Sequence, residues 1–183
     1  MLTAKLSLYH WLLPPGAVSR LCLLLCWLFT PMALAATAEA PDWVEVGHGS
    51  YKRFFLHVYD VKLEALQTHF HYPDTTPYAL TLVYQLDLDA DVLVDNTLAE
   101  WNNQKLAWPK PWLTALKQYL PDISKGDSLR LEVNEDHSAV FFYNGKAIVT
   151  FTDQEFVHAF VGIWLSEHSS NSSLRNQLLG PNK

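Results

Sequence analysis

The clearest alternation of apolar and polar residues lies between residues 126 and 165. Apolar side chains recur at every second position or in short runs, which is typical of strands with a buried face. Three strands are predicted on this basis, at residues 129–133, 140–143 and 146–151. The last two flank Asn144-Gly145, a pair that tolerates the positive φ angles of a type I′ turn. The region is therefore predicted to contain a tight hairpin.

A helix is predicted directly after these strands. Thr152 stands three residues before Glu155, the spacing of a capping box at a helix start. The apolar residues that follow recur on one helical face. They are Phe156, Ala159, Phe160, Ile163 and Trp164. This face must be covered, so we expect the helix to lie on a sheet.

The rest of the pattern predicts three further strands and three further helices. The strands are predicted at residues 43–46, ending at a turn at 47–49, and at residues 54–64 and 78–88. The helices are predicted at residues 92–104, with Asp89 or Asp91 as a cap, and at residues 111–120 and 172–179. This order predicts an α+β fold, a large antiparallel sheet with helices packed on one face.

The N-terminal segment has the composition of a secretory signal. Lys5 and Arg20 are basic, residues 21–29 are apolar, and Ala33-Leu34-Ala35 suits a signal peptidase. We expect a signal peptide at residues 1–35, cleaved near Ala35, and a single domain at residues 36–183. The apolar run is short for a membrane span, so the prediction is a periplasmic or secreted protein with no stable membrane anchor after cleavage.

Charge and composition limit the kinds of partner and cofactor that the protein is expected to bind. The chain has 13 basic and 19 acidic residues and a formal charge of −6, which argues against nucleic acid. Both cysteines, Cys22 and Cys26, fall in the expected signal peptide, so the mature domain is held by packing of its many aromatic side chains. His69 and His71 lie two residues apart but lack further ligands at metal-site spacing, so no metal site and no cofactor are predicted. The sequence does not indicate an oligomeric state.

Several blocks together resemble the exported bacterial branch of the chalcone isomerase-like family. They are Val46-Gly47, Val58-Tyr59-Asp60, Phe160-Val161-Gly162-Ile163-Trp164-Leu165, Leu174-Arg175 and Leu178-Leu179-Gly180. The resemblance implies a large antiparallel sheet with helices on one face and a cleft between them. Plant members of the family cyclise a chalcone to a flavanone, and other relatives bind fatty acids.

The resemblance also places the plant active-site positions on this chain. The catalytic-site asparagine falls on Asn96, and this residue type is kept. The tyrosine, the two threonines and the arginine fall near Asp89, Ala159, His57 and Glu45, with Lys52 and Arg53 as the closest basic residues. A glutamate at the arginine position would repel a phenolate, so neither chalcone isomerase activity nor a carboxylate clamp is expected.

Three functions remain open from the sequence. The favoured one is a non-catalytic binding or accessory protein with an apolar cleft for a small hydrophobic ligand, lined by Tyr59, Tyr84, Asn96, Trp101 and Trp164. An isomerase or lyase would instead use His57 as acid or base beside Asn96 and Asp89. A periplasmic protein-interaction module would have no ligand at all.

Overall fold

The described part of the chain folds into six strands and four helices. The computed structural model describes residues 42–67 and 69–180, so the predicted signal peptide lies outside the described residues. The strands are β1 (Val44–Arg53), β2 (Leu56–Ala65), β3 (Tyr78–Tyr84), β4 (Ser128–Val133), β5 (Ala139–Tyr143) and β6 (Lys146–Phe151). The helices are α1 (Ala90–Asn103), α2 (Lys110–Tyr119), α3 (Gln154–Leu165) and α4 (Ser172–Leu179).

All six strands form one antiparallel sheet in which each strand pairs with the next along the chain. The predicted α+β class with a large antiparallel sheet is confirmed. Helices α1 and α2 are inserted between the neighbouring strands β3 and β4. Alternate side chains of the central strands point to the helices and are almost completely buried. They include Val61, Leu63, Leu80, Leu82, Leu129 and Leu131.

The opposite face of the sheet carries ion pairs. Arg130 donates from Nη1 to Glu64 Oε2 at 2.5 Å and from Nε to Glu132 Oε1 at 2.7 Å. Burial alone would raise the pKa of Glu64, but hydrogen bonds from Lys62 and Arg130 lower it. Within residues 42–67 and 69–180, the helical face is thus the one that carries the large buried apolar side chains.

The predicted hairpin turn between β5 and β6 is present. Asn144 and Gly145 both have positive φ, 48° and 77°, as a type I′ turn requires. The helix start differs from the prediction by one residue, because the N-cap of α3 is Asp153 and not Thr152. Asp153 accepts from the Phe156 N–H at 3.1 Å and also from Trp112 Nε1 at 2.8 Å. A carboxylate serves two donors here, which the threonine hydroxyl one residue earlier does not.

The first strand is longer than predicted, and the expected turn at residues 47–49 is wrong. Gly47 and Gly49 lie inside β1, on the side that α4 covers. A Cβ on Gly49 would lie 2.5 Å from Gln177 Oε1, and one on Gly47 would collide with the Leu178 carbonyl oxygen. These glycines allow a helix to approach the strand closely; they do not reverse the chain.

The strand predicted at residues 54–64 starts later, because Phe54 and Phe55 form the turn between β1 and β2. Arg53 pairs with Leu56 across this turn, and Phe54 has a φ of 56°. Both phenylalanines project into solvent, with 90% and 103% of their surface exposed. Two adjacent phenylalanines predict a strand, because turns are usually formed by glycine, proline, asparagine, aspartate and serine.

Helix boundaries agree with the pattern to within two residues, and α4 spans residues 172–179 as predicted. Asp89 stands at the N-cap position of α1, but its side chain makes no capping bond. The Ala90 N–H donates instead to Asp122 Oδ1 at 2.8 Å. Among the described residues, no helix is both long and apolar enough to span a bilayer.

Candidate functional site

A cavity of about 340 Å³ lies between the helices and the end of the sheet where β1 joins β2. Its walls come from β1 to β4, from α1, from the second half of α3 and from the start of α4. Small-molecule sites usually occupy roughly 300–1,000 Å³, so this cavity suits a small ligand.

Aromatic side chains make the sheet side of the cavity. Tyr51 stacks on Tyr59 with ring centroids 5.1 Å apart, and Tyr84 meets Tyr59 edge to face at 5.7 Å. Trp164 Nε1 donates to the Tyr59 hydroxyl at 3.0 Å. Since that hydroxyl accepts from the indole, its own proton remains available to a ligand. Burial raises the pKa of Tyr59 and of Tyr84, so both phenols remain neutral donors.

One side of α1 makes a polar wall. Four cavity-lining residues are spaced i, i+1, i+4 and i+7, so they share one side of the helix. They are Asn96, Thr97, Glu100 and Asn103. The neighbouring face carries Val94 and Trp101, which are buried among the helices. The cavity therefore joins an aromatic wall to a polar one.

Glu100 is held by residues from a distant loop. Ser170 donates to it twice, from the backbone N–H to Oε1 at 2.9 Å and from Oγ to Oε2 at 2.6 Å. Gln104 Nε2 adds a third bond to Oε1 at 2.9 Å. Burial alone would raise the pKa of Glu100, but these hydrogen bonds lower it. The carboxylate is thus ionised at neutral pH and already has its partners.

Arg53 supplies the cation. Among the described residues that line the cavity, it is the only basic one, and it is exposed at the last position of β1. A guanidinium at a cavity mouth can bind a carboxylate in a bidentate manner.

The comparisons with known proteins agree with this architecture. Residues 46–180 match the family described as chalcone isomerase-like. The chain belongs to the chalcone isomerase-like family. An uncharacterised protein of Haemophilus influenzae is 27% identical to it over 150 residues, 81% of this chain and 73% of the relative. A crystal structure of a fatty-acid binding protein of Arabidopsis thaliana superposes with a TM-score of 0.60. That match has 10% identity and covers 78% of this chain and 89% of the plant protein, so it shows the fold.

Four of the five residues predicted to contact a ligand lie around the cavity of this chalcone isomerase-like protein. They are Tyr59, Tyr84, Asn96 and Trp164. Trp101 does not line it. Its indole is completely buried, donates from Nε1 to the Ala159 carbonyl at 2.8 Å, and packs against Trp112 and Phe156. An aromatic residue on the apolar face of α1 therefore belongs to the core.

The three residues considered for catalysis are not brought together. His57 Nε2 bonds to Asp60 Oδ1 at 2.8 Å, and Asp89 stands at the start of α1. Neither residue lines the cavity, which contains only Asn96 of the three. Asp60 is held mainly by the Ser50 hydroxyl, which together with the His57 bond lowers the pKa of Asp60.

The residue nearest the expected position of the family's arginine lies away from the cavity. Glu45, near which the arginine was placed, bonds to His48 Nδ1 at 2.7 Å and does not line the cavity. Arg53, eight residues along the same strand, does. The repulsion expected from Glu45 therefore does not apply to a ligand in this cavity.

A second, more open depression of about 650 Å³ lies beside the N-terminal half of α3. Ala159, the predicted position of a family threonine, lines it together with His158 and Trp112. His158 stacks on Tyr72 at 5.7 Å, which occupies its ring face. Across residues 42–67 and 69–180, no three His, Cys, Asp or Glu side chains are placed to hold a metal ion. The smaller cavity has the stronger case as the functional site, because an aromatic wall and a polar wall face the same space there.

Sequence reasoning missed Thr97, Glu100, Asn103 and Ser170. The first three carried a signal, a polar stripe on α1 at helical spacing. Ser170 carried none, because its contact with Glu100 joins residues 70 positions apart.

Proposed function

We propose that this protein is an exported, non-catalytic carrier that binds a small apolar molecule with a carboxylate at one end. The observation that carries the proposal is the cavity itself, about 340 Å³ between an aromatic sheet wall and the helices, with Arg53 at its mouth. An apolar chain would gain free energy by leaving water for this space.

The carboxylate follows from the charges around the cavity. Glu100 is satisfied by Ser170 and Gln104 and does not require a cationic ligand. Arg53 has no acidic partner among the ion pairs of the described residues. An anionic ligand would therefore pair with Arg53 and keep away from Glu100, which fixes its direction in the cavity. The name of the Arabidopsis protein of the same fold, a fatty-acid binding protein, supports this ligand class.

Among the described residues, the carboxylate that lines the cavity, Glu100, already accepts hydrogen bonds from Ser170 and Gln104, which favours a binding role over proton transfer. Proton transfer would need an acid or base within reach of a bound molecule. The only histidine considered for this, His57, bonds to Asp60 outside the cavity. The tyrosine hydroxyls in the cavity have raised pKa values and serve better as hydrogen-bond donors than as bases.

Export is supported by the signal-like composition of residues 1–35, with its basic residues, apolar run and Ala33-Leu34-Ala35. A carrier of an apolar acid would be useful outside the cytoplasm, where such molecules must cross an aqueous compartment. N-terminal sequencing of the protein from its native cells tests this part: a new N-terminus near residue 36 supports export, and an intact Met1 contradicts it.

The test of binding is native mass spectrometry of the protein purified from its own cells, followed by extraction of what it carries. A stoichiometric apolar acid is expected. Leu93→Trp should abolish the adduct by filling the cavity, since Leu93 lines it. Val92→Trp is the matched control, because Val92 lies next to it on the exposed side of α1. An adduct that survives Leu93→Trp, or no bound molecule in any preparation and no affinity for decanoate, would refute the proposal.

A further inference from the structure

The turn between β1 and β2 exposes three consecutive apolar side chains. Phe54, Phe55 and Leu56 have 90%, 103% and 63% of their surface in solvent. Phe54 also adopts a φ of 56°, a conformation that asparagine or glycine adopts at lower cost. The two phenylalanine side chains therefore bury almost no surface within the fold, and the turn itself does not require them. We refer to residues 52–56 as the hairpin tip.

The hairpin tip is basic as well as apolar. Lys52 and Arg53 precede the phenylalanines, whereas the whole chain carries a formal charge of −6. Two positive charges beside exposed aromatic rings on an acidic protein form a local patch that complements an anionic surface.

The hairpin tip stands at the mouth of the cavity. Tyr51 and Arg53 on β1 and Val58 on β2 all line the cavity, and they flank the turn on both strands. A surface that binds the phenylalanines therefore lies next to residues that line the cavity entrance.

We propose that the hairpin tip docks on a lipid surface with anionic headgroups. The phenylalanines enter the boundary between headgroups and acyl chains, and Lys52 pairs with a lipid phosphate, while Arg53 at the cavity mouth adds positive charge near the surface. If the proposed function also holds, docking sets the cavity entrance against the bilayer, where an apolar acid is dissolved, so the ligand passes without crossing water.

The size of the patch favours a bilayer over a protein partner. Aromatic side chains bury about 150–250 Å² each, so the three apolar residues offer less than about 750 Å² even if each is fully covered. A stable protein interface needs about 800 Å² on each partner, generally from some twenty residues. A bilayer needs only apolar side chains with basic neighbours.

The test places a spin label at the hairpin tip. Phe55→Cys in a Cys22→Ser/Cys26→Ser background carries the label, and Glu135→Cys in the turn between β4 and β5, at the other end of the sheet, is the matched control. Both are mixed with vesicles of phosphatidylcholine and phosphatidylglycerol, and a water-soluble relaxation agent reports exposure. The label at 55 should become protected while the label at 135 remains accessible.

Two further variants separate the contribution of the aromatic rings to membrane binding from that of the basic charge. Replacing both phenylalanines, Phe54→Ser/Phe55→Ser, should lower partitioning into these vesicles roughly tenfold for each ring removed. Lys52→Gln should lower it about fivefold. Equal accessibility at positions 55 and 135 would overturn the docking proposal, and equal protection on phosphatidylcholine alone would overturn the preference for anionic lipid.

Decanoate binding without vesicles distinguishes this inference from the proposed function. The serine double variant should keep its affinity for decanoate in solution but receive it more slowly from vesicles. A wild-type protein that docks and binds no decanoate would refute the carrier function and leave docking in place. Normal transfer by the double variant would refute the role of docking in delivery.

Discussion

Trp164 and Tyr59 join the last long helix to the sheet at the wall of the cavity, since the indole Nε1 donates to the phenol oxygen at 3.0 Å. The two residues are 105 positions apart in the chain. Trp164 is buried and Tyr59 is partly buried, so this bond is shielded from much of the bulk water and ties α3 to β2.

Breaking this bond should destabilise the fold in a way that depends on both partners. Tyr59→Phe and Trp164→Phe each remove the hydrogen bond, and a buried group left without its partner costs about 1–3 kcal/mol. In a double-mutant cycle of urea unfolding, the two changes should show a coupling of about 1 kcal/mol. Strictly additive losses would mean that the bond contributes nothing.

Glu100 should make stability depend on pH. The pKa of Glu100 is lower in the folded chain than in the unfolded one, so its ionised form stabilises the fold above the unfolded value of about 4.3. This stability is lost as the pH falls through the lowered folded value.

Glu100→Gln removes that dependence and weakens the contact with Ser170 by about 1–3 kcal/mol at neutral pH. The free energy of unfolding, measured from pH 7 down to acid, should therefore fall less steeply in the variant. Parallel curves for the variant and the wild type would contradict the assignment of this pH dependence to Glu100.

Gly47→Ala should destabilise the protein, whereas the same change at Gly162 should not. The new methyl at position 47 would collide with the Leu178 carbonyl, part of a backbone that cannot rotate aside, and overpacking of this kind costs about 1–3 kcal/mol. Gly162 lies within α3 with its nearest neighbour, Ser166 Cβ, 3.6 Å from the added methyl. Alanine there should gain about 0.5–1 kcal/mol from helix propensity. Thermal unfolding of the two variants measures this difference in stability. Equal shifts in Tm would be inconsistent with the close approach of α4 to Gly47.

Arg53→Gln should distinguish charge recognition from apolar burial. A charge-assisted hydrogen bond contributes about 1.5–3 kcal/mol, so the affinity for decanoate should fall roughly tenfold or more. The affinity for decanol, which has the same chain without the carboxylate, should barely change. Calorimetric titration with both compounds provides the comparison. An equal loss for both would show that Arg53 supports the cavity wall and does not recognise a charge.

Local patterns predicted most of the framework. The alternation at Leu129, Leu131 and Val133 reports a strand with one buried face, and the Asn144-Gly145 pair reports its turn type, because both signals act within a few residues. The family blocks near the C-terminus led to the correct fold. The turn predicted at Gly47 is wrong because glycine gives the same sequence signal for a turn and for close packing against a helix.

The cavity was predicted only in part, for a physical reason. Tyr59, Tyr84 and Trp164 were found because large side chains on the inner faces of their elements must meet. Whether such a residue lines a cavity or fills the core depends on how far apart the elements lie. Trp101 was predicted to line the cavity but belongs to the core. Contacts such as Ser170 with Glu100 arise from the path of the chain and leave no local pattern.

The strand order also determines how the chain can fold. Strands β1 to β3 and strands β4 to β6 are each built from neighbours in sequence, so each half closes over short distances. The ladder between β3 and β4 is the exception, because the whole α1 and α2 segment separates Tyr84 from Ser128. Joining the halves is therefore the entropically costly step in assembling the sheet. Since α1 leaves the sheet at this seam and forms the polar wall, the cavity is completed only when the two halves have met.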